Sequence, residues 1–240
     1  MPVSRPVAVV TGGNRGLGFE VARALAREGF EAVITSRDAL AGKAAADRLQ
    51  SDGLTVSCQP VDVTRPEAVE RLADYLERRF DRLDALVNNA GMFPEHAASQ
   101  PGPGLLALPI DELQRHLDTN ALGALRVSQA LVPLMRRQGH GRIVNLTSGY
   151  AQLARIQGGF PAYRLSKALL NAITCQLAAE LAAEGMLVNA VDPGWVRTSM
   201  GGPRAPREAA EAAADVVAAL QLPADGPNGR LLRRGEIQPW

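Results

Sequence analysis

Short apolar runs alternate with longer amphipathic runs along almost the whole chain. Runs of strand length lie at Val7–Thr11, Glu31–Thr35, Leu54–Val61, Ala85–Asn88, Arg142–Leu146, Leu187–Val191 and Gly229–Arg233. Runs of helix length lie between them, at Gly16–Glu28, Ala39–Ser51, Pro66–Phe80, Ile110–Gln138, Ala162–Glu184 and Arg207–Leu220. A strand that is apolar at successive positions must be covered on both faces, and helices joining parallel strands provide that cover. The pattern therefore predicts an α/β fold, a doubly wound parallel sheet of about seven strands with helices on both faces. Local signals agree with it. Asp38 is placed to cap the second helix and Pro66 to open the third. Gly29 and Gly185 stand just past the ends of the first and fifth helices.

No linker or change of composition divides residues 1–240, so one domain is expected. Hydrophobic residues make up 46%, enough for a packed core. Three longer connections, 91–109, 149–161 and 193–206, each follow a strand and belong at the carboxyl edge of the sheet, where doubly wound folds bind ligands. Twenty-six Lys and Arg against 25 Asp and Glu argue against nucleic acid or a charged membrane surface as partner. No window of 18 apolar residues and no targeting segment is visible, so no membrane span and a cytoplasmic location are expected. His96, His116 and His140 lack metal-ligand spacing and read as loop or helix-surface residues, so no metal is expected. Cys58 and Cys175 read as small core residues rather than a disulfide.

The first strand runs into Thr11-Gly12-Gly13-Asn14-Arg15-Gly16-Leu17-Gly18, and a helix follows. Glycine permits a sharp turn and close approach of the backbone to a pyrophosphate. The helix N-terminus adds free N–H groups and a positive dipole end. The spacing is Gly-x3-Gly-x-Gly, not Gly-x-Gly-x-x-Gly, and a purely structural turn is the competing account. The second strand ends at Thr35-Ser36-Arg37-Asp38. Arg37 suits a ribose 2′-phosphate, and Arg15 can add a second charge, although Arg37 can equally be solvated surface. Asp38 reads as the helix cap, with ribose acceptor as its alternative. Asp62, beside Val63, is either an acceptor for an adenine amino group or turn chemistry before Thr64. Asn88-Asn89-Ala90-Gly91 at the end of strand four allows close approach to a ligand, or is only a turn.

Tyr163 and Lys167 are i and i+4 on one helix, so they share a face. A nearby ammonium is expected to stabilise tyrosinate and lower the phenol pKa. Ser148, at the end of strand five, can hydrogen-bond a carbonyl oxygen of a substrate or satisfy backbone. Phe93, Tyr150, Phe160, Trp195 and Met200 fall in the three long connections and suggest an apolar or aromatic substrate pocket. Leu105-Leu106 and Met92 are either core or pocket lining.

Taken in order, Thr11-Gly-x3-Gly-x-Gly18, Asp62-Val63, Asn88-Asn89-Ala90-Gly91, Asn120, Ser148, Tyr163-x3-Lys167 and Pro193-Gly194 resemble the short-chain dehydrogenase/reductase superfamily, and most of all its NADPH-dependent carbonyl reductases. The resemblance implies a Rossmann-type sheet and an NADP(H)-dependent enzyme reducing a ketone or aldehyde. It implies that Tyr163 donates the proton, that Lys167 tunes it and binds the nicotinamide ribose, and that Ser148 orients the carbonyl. Asn120 would hold a water that relays protons to Lys167. Gly12, Asn14, Arg15, Gly16, Leu17, Gly18, Arg37, Asp62, Val63, Asn89, Ala90, Gly91, Pro193, Gly194, Val196 and Thr198 would line the cofactor together with Tyr163 and Lys167. Only 14 residues, Gly149 to Ala162, separate Ser148 from Tyr163. Some monomeric carbonyl reductases carry a long insertion there. Its absence leaves helix surfaces uncovered and implies a homodimer or homotetramer. The alternatives are an NAD-dependent alcohol dehydrogenase, a 3-oxoacyl thioester reductase, and a non-enzymatic nucleotide-sensing regulator.

Overall fold

The structure is a computed structural model and describes residues 5–93 and 103–240. His96 lies outside the described residues. The strands are β1 Val7–Val10, β2 Glu31–Ser36, β3 Val56–Pro60, β4 Ala85–Asn88, β5 Gly141–Leu146, β6 Met186–Val191, β7 Leu231–Arg233 and β8 Glu236–Gln238. They form one sheet in the order β3-β2-β1-β4-β5-β6-β7-β8. Every pairing from β3 to β7 is parallel, and β8 joins antiparallel.

The helices are α1 Gly16–Arg27, α2 Ala39–Ser51, α3 Pro66–Arg79, α4 Ile110–Leu117, α5 Gly123–Gln138, α6 Pro161–Leu181 and α7 Ala209–Leu220. Alternate residues of each strand feed two separate cores. Ala8, Val10, Ala32 and Ile34 pack with Leu25 of α1, Leu49 of α2 and Val216 of α7. Val7, Val9, Val33 and Leu86 pack with Leu72 of α3, Leu131 of α5 and Leu181 of α6. Both faces of the sheet are thus buried, which is why the strands show no alternation of apolar and polar residues. Each fully buried Leu or Val contributes roughly 1.5–3 kcal/mol. Asp38 caps α2 as expected, its Oδ1 accepting from the N–H groups of Leu40 (2.9 Å) and Ala41 (3.0 Å). Pro66 opens α3, and Gly29 and Gly185 both take positive φ where helices end.

Two elements differ from expectation. The run Ile110–Gln138 is not one helix. It is interrupted by a π-helical turn, Asp118–Leu122, between α4 and α5. The side chain of Asn120 in that turn is drawn sideways onto the backbone of Met92. The second difference is β8. Arg234 and Gly235 both have positive φ (52° and 78°), giving the two-residue turn that reverses β7 into a hairpin.

β1 lies between β2 and β4, so the connections leave it in opposite directions. In doubly wound folds the ligand crevice lies at such a switch point, at the carboxyl ends of the strands. The connections after β4, β5 and β6 gather at the same edge. Leu105 and Leu106, within the first of them, are exposed (58% and 105%) and form no part of the core. Two other side chains also depart from their expected surroundings. His116 is buried, because α4 packs against α6, and its Nδ1 lies 2.9 Å from the carbonyl of Glu112. Cys58 and Cys175 are half-buried rather than fully enclosed.

Candidate active site

The glycine turn bends back over the sheet edge. Gly12 and Gly16 have φ of 64° and 59°, values that L side chains rarely adopt. A Cβ on Gly18 would overlap the side chain of Asn89, so only glycine lets α1 start this close to β4. Asn89 Nδ2 donates to the carbonyls of Thr11 (2.8 Å) and Gly12 (3.0 Å), and Thr11 Oγ1 accepts from the N–H groups of Asn89 and Ala90 (both 3.0 Å). Turn and strand end are therefore sewn together. Arg15 stands at the N-cap position of α1 without a side-chain cap bond. The first N–H groups of a helix have no partner within it. A Cβ on Gly16 would meet Thr198 at 3.2 Å, so the connection after β6 closes against the turn. Within that connection Gly194 takes a φ of 74°, its N–H donates to Asp192 Oδ1 (2.9 Å), and Val196 is buried.

At the end of β2, Ser36 is buried and Arg37 is exposed. Asp38 engages its Oδ1 in the α2 cap and is exposed like Arg37, so both charges stand at the end of β2. Asp62 Oδ1 accepts from the Thr64 N–H (3.0 Å) and Oγ1 (2.7 Å), so the turn chemistry is present whatever else Asp62 does. Partial burial raises its pKa, but the Thr64 hydrogen bonds and the charges of Arg37 and Arg65 outweigh this and hold it below the usual value. Val63 is buried, and its carbonyl accepts from Arg126 (2.7 Å).

Tyr163 and Lys167 lie on one face of α6, both buried (8% and 5% exposed). Ser148 lies beside the Tyr163 phenol and favours its ionised form, and Ser148 Oγ accepts from the Tyr150 N–H (3.2 Å). Lys167 Nζ donates to the carbonyl of Leu146 (2.7 Å) and lies 5.9 Å from the centre of the Tyr163 ring. A Cβ on Gly91 would sit 3.5 Å from Lys167 Nζ and 3.2 Å from Asn120 Oδ1, so the chain after β4 runs directly past both. Burial pushes the Tyr163 phenol up to about 12; Ser148 opposes this and the charge of Asp192 adds to it. The expected lowering by Lys167 is not found: desolvation sets the direction, and Ser148 alone opposes it. Burial also pulls the Lys167 ammonium down to about 8.

A family model described as short chain dehydrogenase matches residues 6–209. The chain belongs to the short-chain dehydrogenase family. Mouse carbonyl reductase [NADPH] 1 is 30% identical over 286 aligned residues, covering 100% of both chains. Among solved structures, the carbonyl reductase Sniffer of D. melanogaster superposes with a TM-score of 0.88 at 25% identity, covering 98% of this chain and 99% of that one. Salutaridine reductase from Papaver somniferum superposes with a TM-score of 0.80 at 29% identity, covering 95% and 99%.

In this short-chain dehydrogenase three of the five expected pocket residues converge. The Phe93 ring meets Tyr163 edge-on at 4.7 Å and Phe160 at 5.0 Å, and Tyr150 lies against Phe160 at 6.0 Å. Trp195 and Met200 are about half exposed on the connection after β6, where the Trp195 indole donates to the Gly201 carbonyl (2.7 Å). Among the described residues no ring contact joins Trp195 to the other three. Among the described residues, too, no group of three or more His, Cys, Asp or Glu is gathered. Two contributors escaped the sequence reading. Thr147 Oγ1 donates to Asn171 Oδ1 (2.6 Å), tying the end of β5 to α6 between Ser148 and Lys167. Arg164 reaches three carbonyls of the 149–160 segment. Asn171 follows Lys167 by four residues on the same face of α6, a signal that could have found it, whereas nothing local marks Arg164.

Proposed function

We propose that this chain is an NADP(H)-dependent oxidoreductase that reduces a ketone or aldehyde to an alcohol, with Tyr163 as the proton donor. The observation that carries this is the buried phenol of Tyr163, set beside Ser148 and sharing a helix face with the buried Lys167 side chain. A phenol held near 12 is a poor base but keeps its proton for donation at neutral pH. The names of the mouse and rat relatives, carbonyl reductase [NADPH], point the same way.

The residues suit the dinucleotide. Positive-φ glycines bring the backbone close, the α1 N–H groups suit a pyrophosphate, and Arg15 and Arg37 suit a 2′-phosphate. Gly12, Asn14, Gly16, Leu17 and Gly18 would hold one half. Asp62, Val63, Asn89, Ala90, Gly91, Pro193, Gly194, Val196 and Thr198 would border the rest. When bound, the cofactor supplies the hydride. Ser148 then donates a hydrogen bond to the substrate oxygen, where negative charge grows, and Tyr163 gives that oxygen its proton. Lys167 holds positive charge beside the phenol. Asn120 spends both N–H groups, on the Met92 carbonyl (3.0 Å) and Ser166 Oγ (2.9 Å). Its Oδ1 accepts from Met92 N–H (2.7 Å), so both ends of the side-chain amide are engaged with the protein.

A cytoplasmic homodimer or homotetramer is part of this reading. Ala172 and Ala179 of α6 are exposed and Leu165, Leu169 and Ile173 half-buried, and with the exposed Gln176 and Glu180 they make a mixed face that a second copy can cover. Among the described residues no helix is long and apolar enough to cross a membrane. The test is NADPH and NADH consumption with ketones, aldehydes and quinones. A preference for NADPH of roughly 100-fold is expected from two charge-assisted contacts discounted for exposure. Equal use of the two cofactors would overturn the 2′-phosphate assignment, and turnover of no carbonyl would overturn the reaction.

A further inference from the structure

We propose that Arg164 is a positioning residue that holds the 149–160 segment so that Tyr150, edge-on to Tyr163 at 6.4 Å and backed by Phe160, forms an aromatic wall beside the phenol. The inference deepens the carbonyl-reducing reading and rests on it for its kinetic consequence. Arg164 is 7% exposed. Its Nε donates to the Gly159 carbonyl (2.7 Å), Nη1 to that of Tyr150 (3.3 Å) and Nη2 to that of Gly158 (3.4 Å). Its guanidinium also lies over the Tyr150 ring, 4.4 Å from the centre. Tyr150 in turn lies against Phe160, whose φ of 53° presents its ring just before Pro161 opens α6.

The placement is unfavourable for the helix by itself. Arg164 is in the first turn of α6, where the macrodipole disfavours a cation. Among the described residues no carboxylate pairs with it, and a buried charge without such a partner is costly. An uncharged side chain would serve the helix better. A planar fork of donors is what reaches three carbonyls of one segment while laying a flat face on an aromatic ring. Because Arg164 directly follows Tyr163 in the chain, the fork fixes the wall relative to the phenol itself. A carbonyl bearing a flat aryl group rests on that wall; a small aliphatic carbonyl does not need it. Arg164 thereby favours aryl carbonyls through KM.

The test uses the full chain with Arg164→Met and, retaining charge without the fork, Arg164→Lys. Hydrogen exchange of peptides covering 149–160 is read beside peptides from β4 and β5. Kinetics are read with acetophenone and propanal at saturating NADPH. Exchange in 149–160 is expected to rise in both variants while the sheet peptides stay protected. KM for acetophenone is expected to rise about tenfold in Arg164→Met, the loss of one to two charge-assisted contacts, and less in Arg164→Lys. kcat with propanal should change less than about threefold, about half a decade in rate. Unchanged exchange at 149–160 overturns the proposal. So does a fall in kcat with both substrates at unchanged KM, or a loss of protection in the sheet as well. If the wild type turns over neither substrate, the carbonyl-reducing reading fails, and the exchange result still decides whether Arg164 clamps the segment.

Discussion

Burial moves the two ionisable groups of the site in opposite directions. It pushes Tyr163 up to about 12 and pulls Lys167 down to about 8. From sequence, the i, i+4 spacing says that ring and ammonium share a face, and the structure agrees. Spacing says nothing about how completely the face is enclosed, so the direction of the Tyr163 shift was not legible. The two values make a signed prediction. As pH rises through about 8, Lys167 loses its charge while Tyr163 keeps its proton. The value of kcat/KM for NADPH, which reports groups of the free enzyme, should therefore fall with a midpoint near 8. Lys167→Arg keeps its charge throughout and should remove that fall, even if its overall rate is lower. A wild-type profile flat to about pH 10, the ordinary lysine range, would contradict the assignment.

The π-helical turn Asp118–Leu122 shows how a helix is interrupted to serve the site. Helical periodicity runs through Ile110–Gln138 without a break in the sequence, so the interruption could not be read from it. Only the side-chain bonds of Asn120 to Met92 and Ser166 reveal the cause. Asn120→Ala leaves the Met92 N–H and carbonyl and the Ser166 hydroxyl short of partners. A loss of about 1–3 kcal/mol is expected in urea unfolding, the usual cost of unpaired polar groups in partial burial. A change under about 0.5 kcal/mol, within the range of ordinary surface substitutions, would contradict this. The parallel strands, by contrast, were legible because both faces are buried and most of their residues are apolar. β8 was not, being three residues long, two of them exposed. At the end of β2, Arg37→Ala should raise KM for NADPH roughly tenfold or more and leave that for NADH nearly unchanged, the signature of one lost phosphate contact. The neighbouring Ser36 is 3% exposed, so a carboxylate introduced there would be desolvated; the arginine is the cleaner substitution.

Across the whole molecule, segments far apart in sequence are brought to one sheet edge. Thr198 closes on Gly16, Gly91 runs past Lys167, and Gln152 Nε2 donates to the carbonyl of Pro239 (2.8 Å). The sequence placed the three connections at that edge through strand order alone. It did not separate Phe93, Tyr150 and Phe160, which meet Tyr163 or each other, from Trp195 and Met200, because loop course depends on contacts no local pattern encodes. The mixed face of α6 around Ala172, Gln176 and Ala179 leads to an assembly prediction. Light scattering at micromolar concentration should report a dimer or tetramer, and a stable species of 25.5 kDa would contradict it. The central claim is that Tyr163 donates the proton in an NADPH-dependent carbonyl reduction, and the most direct test is Tyr163→Phe. The ring and its packing against Phe93 remain, and one oxygen is removed. NADPH binding, followed by fluorescence titration, should stay within about threefold, under 1 kcal/mol. The kcat for carbonyl reduction should fall by about 10²–10⁴, the range of general acid catalysis. Retention of more than about a tenth of kcat, far less than general acid catalysis supplies, would contradict the account.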